Sequence, residues 1–361
     1  MRIAIVGTSN SVSKTGWLST FRSLAKGHEV VNLSLGACPM IQAAQTIIGK
    51  RVADDFDLCI LEMPVNDQRY MQARFLDEAT FAAWTAEAFA AFTPASRCKP
   101  LVLLLPHRSA LGQPKRYYRA TAVARQLLNA RGIAFVDIER DLERARDIFG
   151  LDTEKVFMDW GHMIPEAQRI AGFAVHRALP FALAANSLIL ASAGLTVHPI
   201  RQLTDLPRKR RMNSLLDVQT VMLSGSLKVQ LSGYLCGIQH WSDAATGVLT
   251  IESNGRSRYK NLNKIWQDVL FLTDFQPAMP VESFVMSPGG AVADCEPSIS
   301  ASPHPPGATV EIAAIIMAKH EPKTIGEAIL ASVDRQAARS TWIDDVSVYR
   351  SFAALSKLLK S

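Results

Sequence analysis

Five short apolar runs punctuate the first half of the chain, at residues 2–7, 29–34, 57–62, 100–105 and 132–137, and their spacing limits the fold more than any other feature. Within each run apolar residues follow one another without polar alternation, the pattern of a strand buried on both faces. Stretches of helical periodicity separate or follow them, at 15–26, 40–50, 77–92, 116–131 and 165–178. Strands alternating with helices build a parallel sheet covered on each side. The expectation is an α/β, flavodoxin-like three-layer sandwich with a five-stranded parallel sheet over residues 1–187.

The pattern changes beyond about residue 190. Segments 227–235, 248–252, 281–286 and 308–317 alternate or nearly so and are broken by Gly, Ser, Asn and Pro, as antiparallel strands of a sandwich are. Residues 287–306, rich in Pro, Ser, Gly and Ala, read as a long connection, and 324–360 return to helical periodicity. Residues 188–361 are therefore expected to form a β-rich accessory domain with a C-terminal helical segment.

Charge argues against a nucleic-acid partner. Lys and Arg number 39 against 33 Asp and Glu, a mild excess of +6. Its densest stretch, Pro207-Arg208-Lys209-Arg210-Arg211, has no aromatic residue interleaved to stack on bases. We read it as a solvated linker. The five cysteines, Cys38, Cys59, Cys98, Cys236 and Cys295, are odd in number and widely spaced, as free thiols in a reducing compartment are. Residues 1–7 run straight into a strand pattern with no basic leader or apolar signal core. The longest apolar stretch, 181–195, is broken by Asn186 and Ser187 and falls short of the roughly 18 to 20 residues that span a bilayer. The expected location is cytoplasmic, with no membrane span.

In an open parallel sheet, ligands bind beyond the carboxyl ends of the strands. The first run is followed by Gly7-Thr8-Ser9-Asn10-Ser11, which offers a serine hydroxyl among turn N–H groups able to hold an oxyanion. An N-cap or a phosphate cradle would use the same residues. The second run leads to Gly36, whose N–H can approach a ligand closely, or which simply turns the chain. After the third stands Asn66 in Val65-Asn66-Asp67, a side-chain donor or an Asx-turn. Asp159-Trp160-Gly161-His162 precedes a helix that Pro165 can open. An Asp three residues before a His can bind one ring nitrogen and leave the other to act as general base. Capping of the following helix is the plainer use of the pair.

The joint order decides among these readings, because each group follows a different strand and all can meet on one rim. Ser11 and Ser13 are rival hydroxyls, His107 a rival base, and Asp137 a rival partner for the histidine. Asn10, His107 and Arg108 are candidate substrate contacts. The remaining histidines form no H-E-x-x-H, and neither G-x-x-x-x-G-K-[ST] nor a G-x-G-x-x-G after the first run is present, so no metal and no cofactor is expected.

Gly7-Thr8-Ser9, Gly36, Val65-Asn66-Asp67 and Asp159-x-x-His162 together resemble the four sequence blocks of SGNH/GDSL hydrolases over residues 1–180. The resemblance implies Ser9 as nucleophile, His162 as base and Asp159 as its orienting partner. It also implies an oxyanion hole from the Ser9 and Gly36 backbone N–H groups and the Asn66 side chain. Thr8 stands where the family commonly has Asp, which points away from the best-known lipase branches and toward acylated sugars. The expected function is serine-dependent hydrolysis of a short acyl ester, acetyl on a carbohydrate or related substrate. An O-acyltransferase of polysaccharide assembly and a non-catalytic glycan-binding protein are the alternatives. Trp241, Trp266 and Tyr234 can stack on sugar rings or fill a core. The second domain can serve as a glycan-binding face, a lid or a dimerisation element, so a homo-oligomer is among the assemblies it allows.

Overall fold

The computed structural model describes residues 1–37, 39–111, 119–184, 191–213, 216–298, 301–302, 304–333 and 342–359 of the 361-residue chain. Cys38, positions 116–118 of one expected helix, the expected domain boundary at 187, and 334–341 and 360 of the C-terminal helical stretch lie outside them. The chain divides into two compact units, residues 1–191 with 326–361, and residues 192–325.

In the first unit the elements run β1 (Arg2–Val6), α1 (Ser9–Val12), α2 (Trp17–Leu24), β2 (Glu29–Asn32), α3 (Met40–Gly49), α4 (Val52–Asp55), β3 (Leu58–Met63), α5 (Val65–Gln72) and α6 (Glu78–Ala90). They continue as β4 (Lys99–Leu104), α7 (Arg119–Arg131), β5 (Phe135–Asp137), α8 (Ile138–Phe149) and α9 (Pro165–Ala184). All five strands pair in parallel in the order β2-β1-β3-β4-β5, with Ile3 opposite Val30 and Leu58, and Leu104 opposite Asp137. The chain leaves β1 toward β2 on one side and returns to β3 on the other. That reversal opens a crevice at the carboxyl ends of β1 and β3, where open α/β sheets bind ligands.

Continuous apolar strands are explained by two covered faces. Ile3, Ile5, Leu58, Ile60, Leu101 and Leu103 share one core with Trp17 and Phe21 of α2, Leu142 of α8 and Ala171 and Val175 of α9. Their neighbours Ala4, Cys59, Leu61, Val102 and Leu104 point the other way and are equally buried. Helices α2 and α9 approach closely at Gly172, where a Cβ would run into the Trp17 carbonyl. Asp137, the rival histidine partner, instead caps α8 by accepting from Arg140 N at 3.0 Å and pairs with Arg125 at 2.6 Å.

In the second unit the strands are β6 (Leu195–Pro199), β7 (Arg208–Met212), β8 (Asp217–Leu223), β9 (Leu227–Val229), β10 (Gly233–Ser242), β11 (Val248–Ser253), β12 (Arg256–Asn261), β13 (Val269–Val281), β14 (Phe284–Pro288) and β15 (Val310–Ala318). One sheet runs β13-β10-β15-β8-β7 with β6 also on β15, and the other runs β12-β11-β14-β9; the pairings are antiparallel. Leu235, Ile238, Ile312 and Ile315 of the first sheet and Leu249, Ile251, Phe284 and Met286 of the second belong to one apolar core, so the sheets pack face to face.

The basic run at 207–211 is no linker. It forms edge strand β7, where Lys209 and Arg211 pair with Glu311 and Arg210 pairs with Asp217. Charged edges of this kind discourage strand addition. Trp241 is buried under Arg211, while Trp266 is exposed and stacked on Phe271 at 5.7 Å. Tyr234 is half-buried on β10.

After α10 (Pro322–Val333), the C-terminal helix α11 (Val346–Leu358) belongs to the first unit and not to the β-rich one. Val348, Phe352 and Leu355 recur at helical spacing and enter the core shared with α8 and α9. Ahead of that helix, Ile343 N donates to Phe135 O at 3.0 Å, and Arg140 and Arg144 lie over the Trp342 ring. Phe352→Ala is expected to destabilise the first unit by about 3–5 kcal/mol, read as a lower urea unfolding midpoint. Among the described residues, no helix is long and apolar enough to cross a membrane.

Candidate active site

Of the candidate residues, Ser9, His162 and Asp159 meet. Ser9 opens α1 directly beyond β1, and its hydroxyl lies 2.7 Å from His162 Nε2. His162 Nδ1 lies 2.8 Å from Asp159 Oδ2 and 3.0 Å from Oδ1. The other Asp159 contacts explain the spacing of the pair. Oδ1 accepts from Gly161 N and His162 N, each at 2.8 Å, so the loop folds back on the carboxylate. Burial works against that charge, but the Gly161 N–H and the His162 ring and N–H outweigh it and hold Asp159 below the usual carboxylate range.

With Nδ1–H held by a carboxylate, Nε2 is the ring's free base and faces the Ser9 hydroxyl. The rival hydroxyls are engaged elsewhere: Ser11 Oγ donates to Glu62 at 2.9 Å, and Ser13 Oγ is paired with Thr15 at 3.2 Å. Neither of these contacts brings them to a histidine.

Other candidates divide. Asn10 is buried: its Nδ2 donates to Gly161 O at 3.1 Å and its Oδ1 accepts from Gln168 Nε2 at 2.6 Å. It braces the histidine loop against α9. His107 is also buried, with Nδ1 bound by Ser109 Oγ at 2.7 Å and the ring 5.3 Å from that of Trp160. Burial and the Arg69 charge, against the pull of Asp159, lower its pKa to about 4, so it is a neutral neighbour of the site and not its base. Arg108 reaches Glu154 at 2.7 Å through Nε while its N–H donates to Trp160 O at 2.9 Å. Both residues therefore buttress the loop that carries Asp159 and His162.

Gly36 sits on an exposed turn with open space where a Cβ would stand, and Leu35 N beside it donates to Gly7 O at 3.2 Å. Asn66 lies in the first turn of α5 and is buried. The next residue, Asp67, accepts from Met40 N at 2.8 Å and ties α5 to the start of α3, just beyond the Gly36 turn. Val65 of that turn packs on Gly161, where an added Cβ would come within 3.1 Å of its Cγ1.

Sequence reasoning passed over Glu62. Only 2% exposed, it accepts from Thr8 N at 2.8 Å and from the hydroxyls of Thr8 and Ser11. A lone acid between Leu61 and Met63, in a run expected to be buried on both faces, was the available signal. Gly7 completes this packing, since a Cβ there would come within 2.5 Å of Ser11 Oγ and 2.8 Å of Glu62 Oε2. Gly7→Ala is expected to cost about 1–3 kcal/mol of stability by overpacking, measured by chemical denaturation.

With this geometry in view, the solved structures give a match over nearly the whole chain. A two-domain esterase active on acetylated mannans aligns at 10% identity over 89% of this chain and 92% of its own, with a TM-score of 0.60. The same kind of two-domain esterase co-crystallised with mannopentaose aligns at 10% identity over 89% and 91%, also at 0.60. The likeness is one of fold. It joins a five-stranded parallel sheet to antiparallel sheets in one chain. No sequence-family profile and no curated protein matches the chain.

Proposed function

We propose that this chain is an ester hydrolase of the SGNH/GDSL type that removes acetyl groups from a carbohydrate. The observation that carries the reading is the unbroken relay from Ser9 Oγ to His162 Nε2 at 2.7 Å and from His162 Nδ1 to Asp159 at 2.8 Å. Ser9 attacks the ester carbonyl while His162 takes its proton, and Asp159 stabilises the resulting imidazolium. The backbone N–H groups of Ser9 and Gly36 and the Asn66 side chain hold the oxyanion. Collapse of the tetrahedral intermediate breaks the acyl–oxygen bond, and the sugar hydroxyl leaves with the proton from His162. Water activated by the same imidazole then releases acetate and restores Ser9.

The carbohydrate assignment draws support from the two-domain esterase active on acetylated mannans, whose fold this chain shares. Acetate release from acetylated mannan, followed with wild type and Ser9→Ala, tests the proposal. Release by the wild type alone supports it. Equal release by both proteins overturns the serine mechanism, and hydrolysis of p-nitrophenyl acetate without release from any acetylated glycan overturns the substrate class.

A further inference from the structure

Beneath the Ser9 turn lies a carboxyl group that the acyl-transfer steps do not consume. Glu62 belongs to β3, whose six residues are all buried, and it is the only acid among them. It receives the Thr8 N–H at 2.8 Å, the Thr8 hydroxyl at 2.8 and 2.9 Å, and the Ser11 hydroxyl at 2.9 Å. The direction of these bonds is set by what lies behind them. Thr8 Oγ1 accepts from Asn10 N at 3.3 Å, and Ser11 Oγ accepts from Trp17 Nε1 at 3.1 Å, so each hydroxyl turns its single proton to Glu62.

Three donors converging on one group call for an acceptor with no proton of its own, which an ionised carboxylate is and an amide is not. Burial pushes the Glu62 carboxyl up from its usual range, against the Thr8 and Ser11 donors and the charge of His162. Residues 8 and 11 bracket Ser9, so whatever fixes them fixes the direction of its hydroxyl and its backbone N–H.

We propose that Glu62 is a positioning residue, holding the Thr8–Ser11 turn, and with it the Ser9 hydroxyl, in register with His162. The inference rests on Ser9 acting as the nucleophile. Glu62→Gln nearly keeps the shape but replaces one acceptor oxygen with an NH₂ donor facing the Thr8 and Ser11 donors.

The test is kcat and KM of Glu62→Gln and wild type for p-nitrophenyl acetate from pH 5 to 9, normalised to sites titrated with a fluorophosphonate, with Ser9→Ala assayed alongside per mole of folded protein. We expect kcat per titrated site to fall by about 10²-fold, the scale of a small misplacement of a reacting group, with KM within about twofold. A residue that served folding alone would lower the number of titratable sites and leave kcat per site where it was; that result overturns the proposal. Should Glu62→Gln fail to fold, Thr8→Val keeps the N–H to Glu62 and removes one donor. Its kcat per site is expected to fall by about tenfold, and an unchanged value overturns the proposal equally. An active Ser9→Ala would sink the nucleophile assignment, whereas an inactive Ser9→Ala beside an unaltered Glu62→Gln would sink the positioning role alone.

Discussion

Ser9→Ala is expected to lower kcat for p-nitrophenyl acetate by roughly 10⁶-fold. The size follows from the absence of a substitute among its neighbours. Ser11 donates to Glu62 and Ser13 is paired with Thr15, so neither hydroxyl is placed to receive the base that Ser9 gives up. His162→Ala should lose about as much, and the double variant little more, because nucleophile and base carry one step between them and their effects do not add. What survives would come from oxyanion donors and binding, roughly 10³- to 10⁴-fold over water. Rate assays per mole of protein, with melting curves to establish folding, measure these losses. A Ser9→Ala enzyme retaining a tenth of the wild-type rate would remove Ser9 from the chemistry.

How far the sequence anticipates this site depends on whether a residue acts locally or across the fold. The runs at 2–7, 29–34, 57–62, 100–105 and 132–137 mark the sheet because burial on both faces leaves an uninterrupted apolar signature. Ser9 and Asp159-x-x-His162 are legible for a related reason: their geometry is short-range, one residue beyond a strand turn and one loop folded by its own carboxylate. Glu62 is not legible in that way, since its partners Thr8 and Ser11 lie more than 50 positions away in sequence. The same holds for Asn10, a candidate substrate contact beside Ser9 whose side chain is instead held by Gln168 and Gly161. Helix α11 misleads for the opposite reason. Its amphipathic spacing is plain, but spacing names a buried face without naming the core that buries it, and Val348, Phe352 and Leu355 complete the first unit although they follow the second in sequence. At 207–211 charge density suggests a linker, yet Glu311 and Asp217, about 100 and 7 residues from their partners, turn it into a strand edge.

Asp159→Asn is expected to lower kcat by about 10⁴-fold while leaving the loop folded, and the hydrogen bonds say why. Oδ1 accepts from two backbone N–H groups, of Gly161 and His162. An asparagine can keep those bonds only by placing its own carbonyl oxygen there, which puts its NH₂ where Oδ2 now meets His162 Nδ1. That amide donates, so Nδ1 must accept, and the ring's proton moves to Nε2. An Nε2–H pointing at Ser9 Oγ cannot take the hydroxyl proton, so the variant would hold the right atoms in the wrong tautomer. Asp159→Ala lacks the backbone acceptor as well and should lose thermal stability, which Asp159→Asn should largely retain. The pH dependence follows the same bonds. A carboxyl held below its ordinary range contributes stability that is present above that range and lost as pH falls through the folded-state value. The difference in melting temperature between wild type and Asp159→Ala should therefore shrink in acid. Full activity in Asp159→Asn at neutral pH would mean that the tautomer is fixed by something other than this carboxylate.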